Sequence, residues 1–218
     1  NVAVGRNALY CNTTGSNNIA IGFSALNFNS NGRNNFAQGY CALYCNTSGC
    51  NNVAIGTQTL NNNTTGHSNI AIGCNALFNN TSGKFNTAFG YGALCRNTTG
   101  CENLAIGVSA LGCNTIGVDN TAIGFAALAV NISGINNIAV GLQSLRNSTC
   151  GSNNNAQGYQ ALYNNTIGSN NVANGCFALL CNVYGNSNTA IGFSALRHLR
   201  SGCNNIAIGE GALQSCSL

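Results

Sequence analysis

Apolar and polar positions along this chain return every seventeen residues. Ala recurs from Ala3, Ala20 and Ala37 to Ala207, Leu from Leu9 to Leu213, and Asn from Asn18, Asn35 and Asn52 to Asn205. Two Gly series share the step, one starting at Gly5 and Gly22, the other at Gly15 and Gly32. Thirteen copies follow one another without insertion or deletion. Numbered from the first Gly, the unit reads G-x-x-A-L-x-x-N-T-x-G-x-N-N-I-A-I. It is too short for a helical repeat, which takes about 34 residues or more. Its Asn, Gly and Thr density also opposes helix. Columns 14–17, residues 18–21 in the second copy, predict one short strand. Columns 3–6, residues 24–27, predict another. Gly in column 1 permits a bend between them, and Asn-Thr-x-Gly over columns 8–11 is turn chemistry. The predicted fold is all-β: a parallel β-solenoid, or β-roll, of about thirteen coils with two short strands each. It runs as a single uninterrupted domain over 1–218.

The strict step has a physical cause. Coils stack about 4.8 Å apart, and one inserted residue would turn every later strand over. The stacked Leu column is the predicted structural core: Leu9, Leu26, Leu43, Leu60, Leu77, Leu94, Leu111, Leu128, Leu145, Leu162, Leu179, Leu196 and Leu213. Asn in column 14 is placed to run an amide ladder along the stack. Columns 15 and 17 are mostly apolar, and column 16 between them is always Ala. A strand without a polar face is usually buried on both sides. One side faces the coil interior. The other is expected to pack on a second chain through Ala20, Ala37, Ala54, Ala71, Ala88, Ala105 and Ala122, the alternative being an exposed face of small residues.

Composition narrows the function. Charged residues make up 5% of the chain, against about 25% in ordinary globular proteins. The carboxylates are Glu102, Asp119 and Glu210, far apart in sequence, and the histidines are His67 and His198. General acid–base catalysis and carboxylate metal sites have almost nothing to work with, so no catalytic, cofactor or metal residue is expected. A net charge of +4 over 218 residues is no nucleic-acid footprint. No apolar run approaches the length of a membrane helix, so no membrane insertion is expected.

The Asn-x-Ala-Ile-Gly core at residues 18–22, 52–56, 69–73 and 205–209 resembles the head repeats of YadA-type trimeric autotransporter adhesins. The full unit, "NNIAIGFSALNFNSNG", is similar to repeat arrays of phage tail fibres and of microbial or giant-virus surface proteins. The likeness covers the whole chain. It implies a β-roll and an extracellular fibre or adhesin stalk. The adhesin unit is usually shorter than seventeen residues and lacks the many cysteines found here, which puts trimerisation in doubt.

Thirteen cysteines lie scattered over the columns, Cys216 last among them. No Cys-x-x-Cys occurs, which disfavours zinc. Cys45 and Cys50, in columns 7 and 12, flank one turn and are the candidate disulfide; otherwise Cys serves as a small, tolerated residue. Asn-x-Ser/Thr sequons fall in columns 7 and 8 of the turn. Asn12, Asn46, Asn63, Asn80, Asn97, Asn131 and Asn164 are the candidate glycosylation sites if the chain meets that machinery, and turn chemistry if not. Arg197, His198 and Arg200 form a small basic cluster, and Tyr40, Tyr91 and Tyr159 share column 2.

These readings make the chain a structural subunit of an extracellular fibre, at a cell or virion surface. Its expected partner is itself, laterally or end to end, because an open solenoid end needs a cap or a neighbour. One alternative is an adhesin stalk reading cell-surface glycans. A lesser one is ice binding, weakened because Thr falls in turn columns rather than in pairs on a strand.

Overall fold

The computed structural model describes residues 1–215; Cys216 lies outside them. The fold is all-β, a parallel β-solenoid, and the chain divides into two compact units, Asn1–Val108 and Ser109–Leu218. The first holds β1 (Val2–Val4), β2 (Ile19–Ile21), β3 (Phe36–Gln38), β4 (Val53–Ile55), β5 (Ile70–Ile72), β6 (Thr87–Phe89) and β7 (Leu104–Ile106). The second holds β8 (Thr121–Ile123), β9 (Ile138–Val140), β10 (Asn155–Gln157), β11 (Val172–Asn174), β12 (Thr189–Ile191) and β13 (Ile206–Ile208). Within each unit, successive strands pair in parallel at a register of one repeat. Ala20 faces Ala37 in the first unit, and Ala156 faces Ala173 in the second.

Each coil has one strand, not two. Columns 3–6 form a turn in which columns 3 and 5 are left-handed, as at Ser24 (φ 53°) and Leu26 (φ 50°). The reason lies in the backbone hydrogen bonds. Ser24 N–H donates to the Arg6 carbonyl one coil before, and Leu26 N–H donates to the Ala42 carbonyl one coil after, each at 2.9 Å. The segment thus bonds both neighbours without being extended. A β-branched residue at such a φ is a genuine outlier. Column 5 is accordingly always Leu, never Ile or Val, and columns 3 and 13, left-handed too, never hold a β-branched residue. That regularity was the signal in the sequence for a turn here.

The interior of a coil is narrow. The Ser144 hydroxyl in column 4 reaches across to the Ala156 carbonyl in column 16 of its own coil, at 2.9 Å. The space is shared by one Leu, the column 4 and 16 Ala and two Asn, all buried. Leu26 through Leu196 in column 5 have no exposed surface, whereas Leu9 is half-buried and Leu213 exposed. Ala20, Ala37, Ala54, Ala71, Ala88, Ala105 and Ala122 are likewise fully buried inside their own chain. The expectation that they pack on a second chain is therefore wrong. Leu fills the interior, so the facing strand position has room for a methyl group only. The apolar residues of columns 15 and 17 point outward instead.

Two Asn columns complete the core. In column 14, Asn18 Oδ1 accepts the backbone N–H of Asn35 (2.9 Å) and its Nδ2 (3.1 Å), while Asn35 Nδ2 also donates to the Gly49 carbonyl (2.8 Å). The same pattern recurs through Asn103 in the first unit and from Asn120 to Asn205 in the second. In column 8, Asn46 Nδ2 donates to Asn29 Oδ1 (2.8 Å) and to the Gly49 carbonyl (3.0 Å). One Gly carbonyl thus receives an amide from each ladder. A Cβ on Gly in column 11 would strike both the Asn oxygen and the next coil's carbonyl, which explains the second Gly series.

Candidate functional site

The outward side of the strands is the most distinctive surface of the solenoid. Ile19, Ile21, Ile70, Phe89 and Ile106 in the first unit are more than a third exposed, as are Ile123, Ile138, Val172 and Ile191 in the second. Past the column 1 Gly, column 2 adds Phe23, Tyr40, Tyr91, Phe125, Tyr159 and Phe193, with Tyr91 exposed by 59%. Phe23 and Tyr40 stack with centroids 5.5 Å apart and planes within 10°, under the Arg6 guanidinium. Monomeric proteins rarely leave so continuous an apolar surface without a use for it. Gln38, Gln157 and Asn174 in column 17 and Thr87, Thr121, Asn155 and Thr189 in column 15 interrupt it.

The sequons divide by column. Asn46, Asn63, Asn80, Asn97 and Asn131 are in column 8, fully buried, with their amides committed to the ladder. Asn12, half-buried at the first coil, accepts from Asn29 Nδ2 at 2.7 Å and donates to the Gly15 carbonyl. A glycan on any of these six nitrogens would displace a ladder bond, so they are not glycosylation sites in the fold. Turn chemistry hid a core position, because the residue shapes the turn with a side chain that points inward. Asn164, in column 7, is half-buried at the surface.

Cys45 and Cys50 are unbridged. Cys45 Sγ lies 4.0 Å from Asn62 Oδ1, and burial first, then the neighbouring Cys41, pushes its thiol pKa up. Cys41 likewise raises Tyr40, chiefly through charge. A thiol with a raised pKa is a poor nucleophile. Cys50 Sγ accepts Arg33 N–H (3.4 Å) and donates to the Ser48 carbonyl (3.3 Å). Cys101 does the same with Lys84 N–H and the Thr99 carbonyl. Elsewhere in column 12 the Ser152 and Ser169 hydroxyls and the Asn186 amide accept the equivalent N–H. These cysteines therefore act as hydroxyl substitutes that cap a backbone donor, a role the sequence did not disclose.

In column 9, Thr13, Thr47, Thr64, Thr81, Thr115, Thr149 and Thr166 each donate their hydroxyl to a carbonyl of the next coil, so those protons are spent within the fold. Among the described residues no three His, Cys, Asp or Glu groups cluster to hold a metal, and no helix is long and apolar enough to cross a membrane. The described residues include open grooves in both units. One in the first unit, of 280 Å³, is lined by Gln58, Asn75, Phe78, Asn79, Cys95 and Arg96. One in the second, of 530 Å³, is lined by Asn147, Asn164, Thr166, Cys181, Val183 and Arg200.

Compared with known proteins, the chain matches no family model, no curated protein and no solved structure.

Proposed function

We propose that this chain is a structural segment of an extracellular fibre, a β-solenoid that supplies length and a repeating surface rather than chemistry. It associates with copies of itself through the outward face of its strands. The observation that carries this reading is the outward face of columns 15 and 17, where Ile, Val, Leu or Phe stands in at least one of the two columns of every coil except the polar Asn155–Gln157 one. A face of period one coil meets the same face on a second copy in matching steps, and burying it removes apolar area from water at about 25 cal/mol per Å².

The test exchanges Ile21, Ile55, Ile72 and Ile106 for Lys together and follows mass by light scattering and particle form by electron microscopy. Lateral assemblies of the parent chain should give way to single solenoids with unchanged circular dichroism. A parent chain that stays monomeric at every concentration would overturn the reading. Lys at Ala105 tests something else: it buries a charge and reports on folding.

A stalk that binds surface glycans is the second reading. The exposed column 2 aromatics favour it, above all the coplanar Phe23–Tyr40 pair, because aromatic faces of this kind stack on sugar rings.

A further inference from the structure

The 530 Å³ groove of the second unit lies where the repeat departs from its own pattern. Its walls are columns 7 and 9, which run along the stack on either side of the inward-pointing column 8. Asn147, Asn164 and Cys181 form one wall, and Thr166, Val183 and Arg200 the other. Column 9 is otherwise mostly Thr or Ser; here it becomes Val183 and then Arg200.

The side chains of the groove leave hydrogen-bond donors free while both Asn side-chain oxygens are engaged. Arg146 Nη1 donates to Asn147 Oδ1 at 3.3 Å, and Asn147 Nδ2 donates to Asn164 Oδ1 at 3.5 Å, so both amide oxygens are engaged. The Thr166 hydroxyl donates to the Val183 carbonyl at 3.0 Å. The Asn164 amide and the exposed Arg200 guanidinium keep their donors for an outside partner. Five backbone N–H groups of the walls are spent as well. Asn147, Asn164 and Cys181 N–H donate to Tyr163, Leu180 and Arg197 carbonyls, and Thr166 and Val183 N–H to Val183 and Arg200 carbonyls. A peptide seeking to add a strand would find these N–H groups already taken.

The surrounding charge has one sign. Arg146 and Arg197 in column 6 flank the groove, each with a buried Nε that has no partner, and His198 follows Cys181 in column 7. The second unit's carboxylates, Asp119 and Glu210, stand in columns 13 and 2. The volume lies in the usual range for small-molecule sites, about 300–1,000 Å³, and a lone inorganic anion would leave most of it empty.

We infer that this groove binds an anionic oligosaccharide. Its sulfate or carboxylate pairs with Arg200, and its ring oxygens and hydroxyls accept from the Asn164 amide, with Val183 and Cys181 against the sugar's C–H face. The inference is independent of the fibre reading, since a monomeric solenoid carries the same groove.

The test is calorimetric titration of the full chain with a sulfated tetrasaccharide, an uncharged tetrasaccharide of N-acetylglucosamine, and inorganic sulfate. The sulfated sugar should bind, with affinity falling at least about tenfold in Arg200→Gln and several-fold in Asn164→Ala. Lys84→Gln, a cation of the other unit, should leave it unchanged. Arg200 is exposed and bonds the protein through its backbone carbonyl, so its replacement leaves the coil intact. Equal affinity in the parent and Arg200→Gln would overturn the inference. So would an equal loss in Lys84→Gln, which would mean diffuse charge attraction. Inorganic sulfate binding as tightly as the sugar would reduce the site to a simple anion contact and overturn it as well.

Discussion

In the first unit the column 8 amides form a continuous chain from Asn12 to Asn97; in the second the same column fails at Ser148 and again at Leu199. Each failure leaves a mark. Asn131 Oδ1, one coil before Ser148, and Asn182 Oδ1, one coil before Leu199, are buried without a donor, and so is the Ser148 hydroxyl. Column 14 has no such gap in either unit. The difference follows from what each Asn supports. A column 14 oxygen accepts the next coil's backbone N–H as well as its amide, so its loss strands a main-chain donor. A column 8 residue sends its own N–H to the Leu carbonyl of its coil, as Asn29, Ser148 and Leu199 all do at 3.2 Å. Its side chain is replaceable without breaking the backbone ladder, at the cost of an orphaned oxygen.

The largest effect expected is at a column 1 Gly. In Gly22→Ala, a left-handed φ of +133° combines with a Cβ 2.5 Å from the Gly39 carbonyl oxygen. Strain and overpacking together should cost about 2–6 kcal/mol in denaturant unfolding. Gly209, at φ +121°, has nothing within 4 Å of that Cβ position, so Gly209→Ala should show only the backbone part, about 1–3 kcal/mol. Equal losses at the two sites would mean that crowding between coils is unimportant.

Next comes the conversion of one unit into the other. Asn63→Leu copies Leu199 into the intact ladder and orphans Asn46 Oδ1, at an expected cost of about 1–3 kcal/mol. In the reverse direction, Ser148→Asn gives Asn131 Oδ1 a donor and should raise stability by about 1 kcal/mol, read from the denaturation midpoint. A fall in stability would show that the pocket around Ser148 has closed too far to admit an amide. Hydrogen exchange sharpens the same contrast: amides at residues 131 and 148 should exchange faster than those at 46 and 63.

The smallest effect concerns thiols. At pH 8, Cys45 should be alkylated more slowly than the exposed Cys203. Burial holds Cys45 protonated, and thiolate is the reactive form. Faster reaction at Cys45 would contradict its placement beside Asn62.

Much of the architecture was legible in the sequence. The seventeen-residue step yields the parallel register, the Leu core and the column 14 ladder, because each depends only on like residues stacking on like. The candidate sites were less legible. The column 8 sequons read as surface turn, and nothing in their spacing says that the Asn side chain folds under the turn it shapes. Cys50 and Cys101 read as disulfide material or filler, although their partners lie in columns 10 and 12. The groove beside Arg200 was visible only as a basic cluster.

The sequence by itself determined how the coils repeat, since period and register are properties of spacing. Only the tertiary structure decided which side of each strand is the inside. Alternation along columns 15, 16 and 17 defines two faces, and both are apolar, so hydrophobicity cannot choose between them. The choice falls to volume: once Leu from column 5 occupies the narrow interior, a methyl group is all the opposite wall admits, and the larger Ile and Val side chains are left facing out.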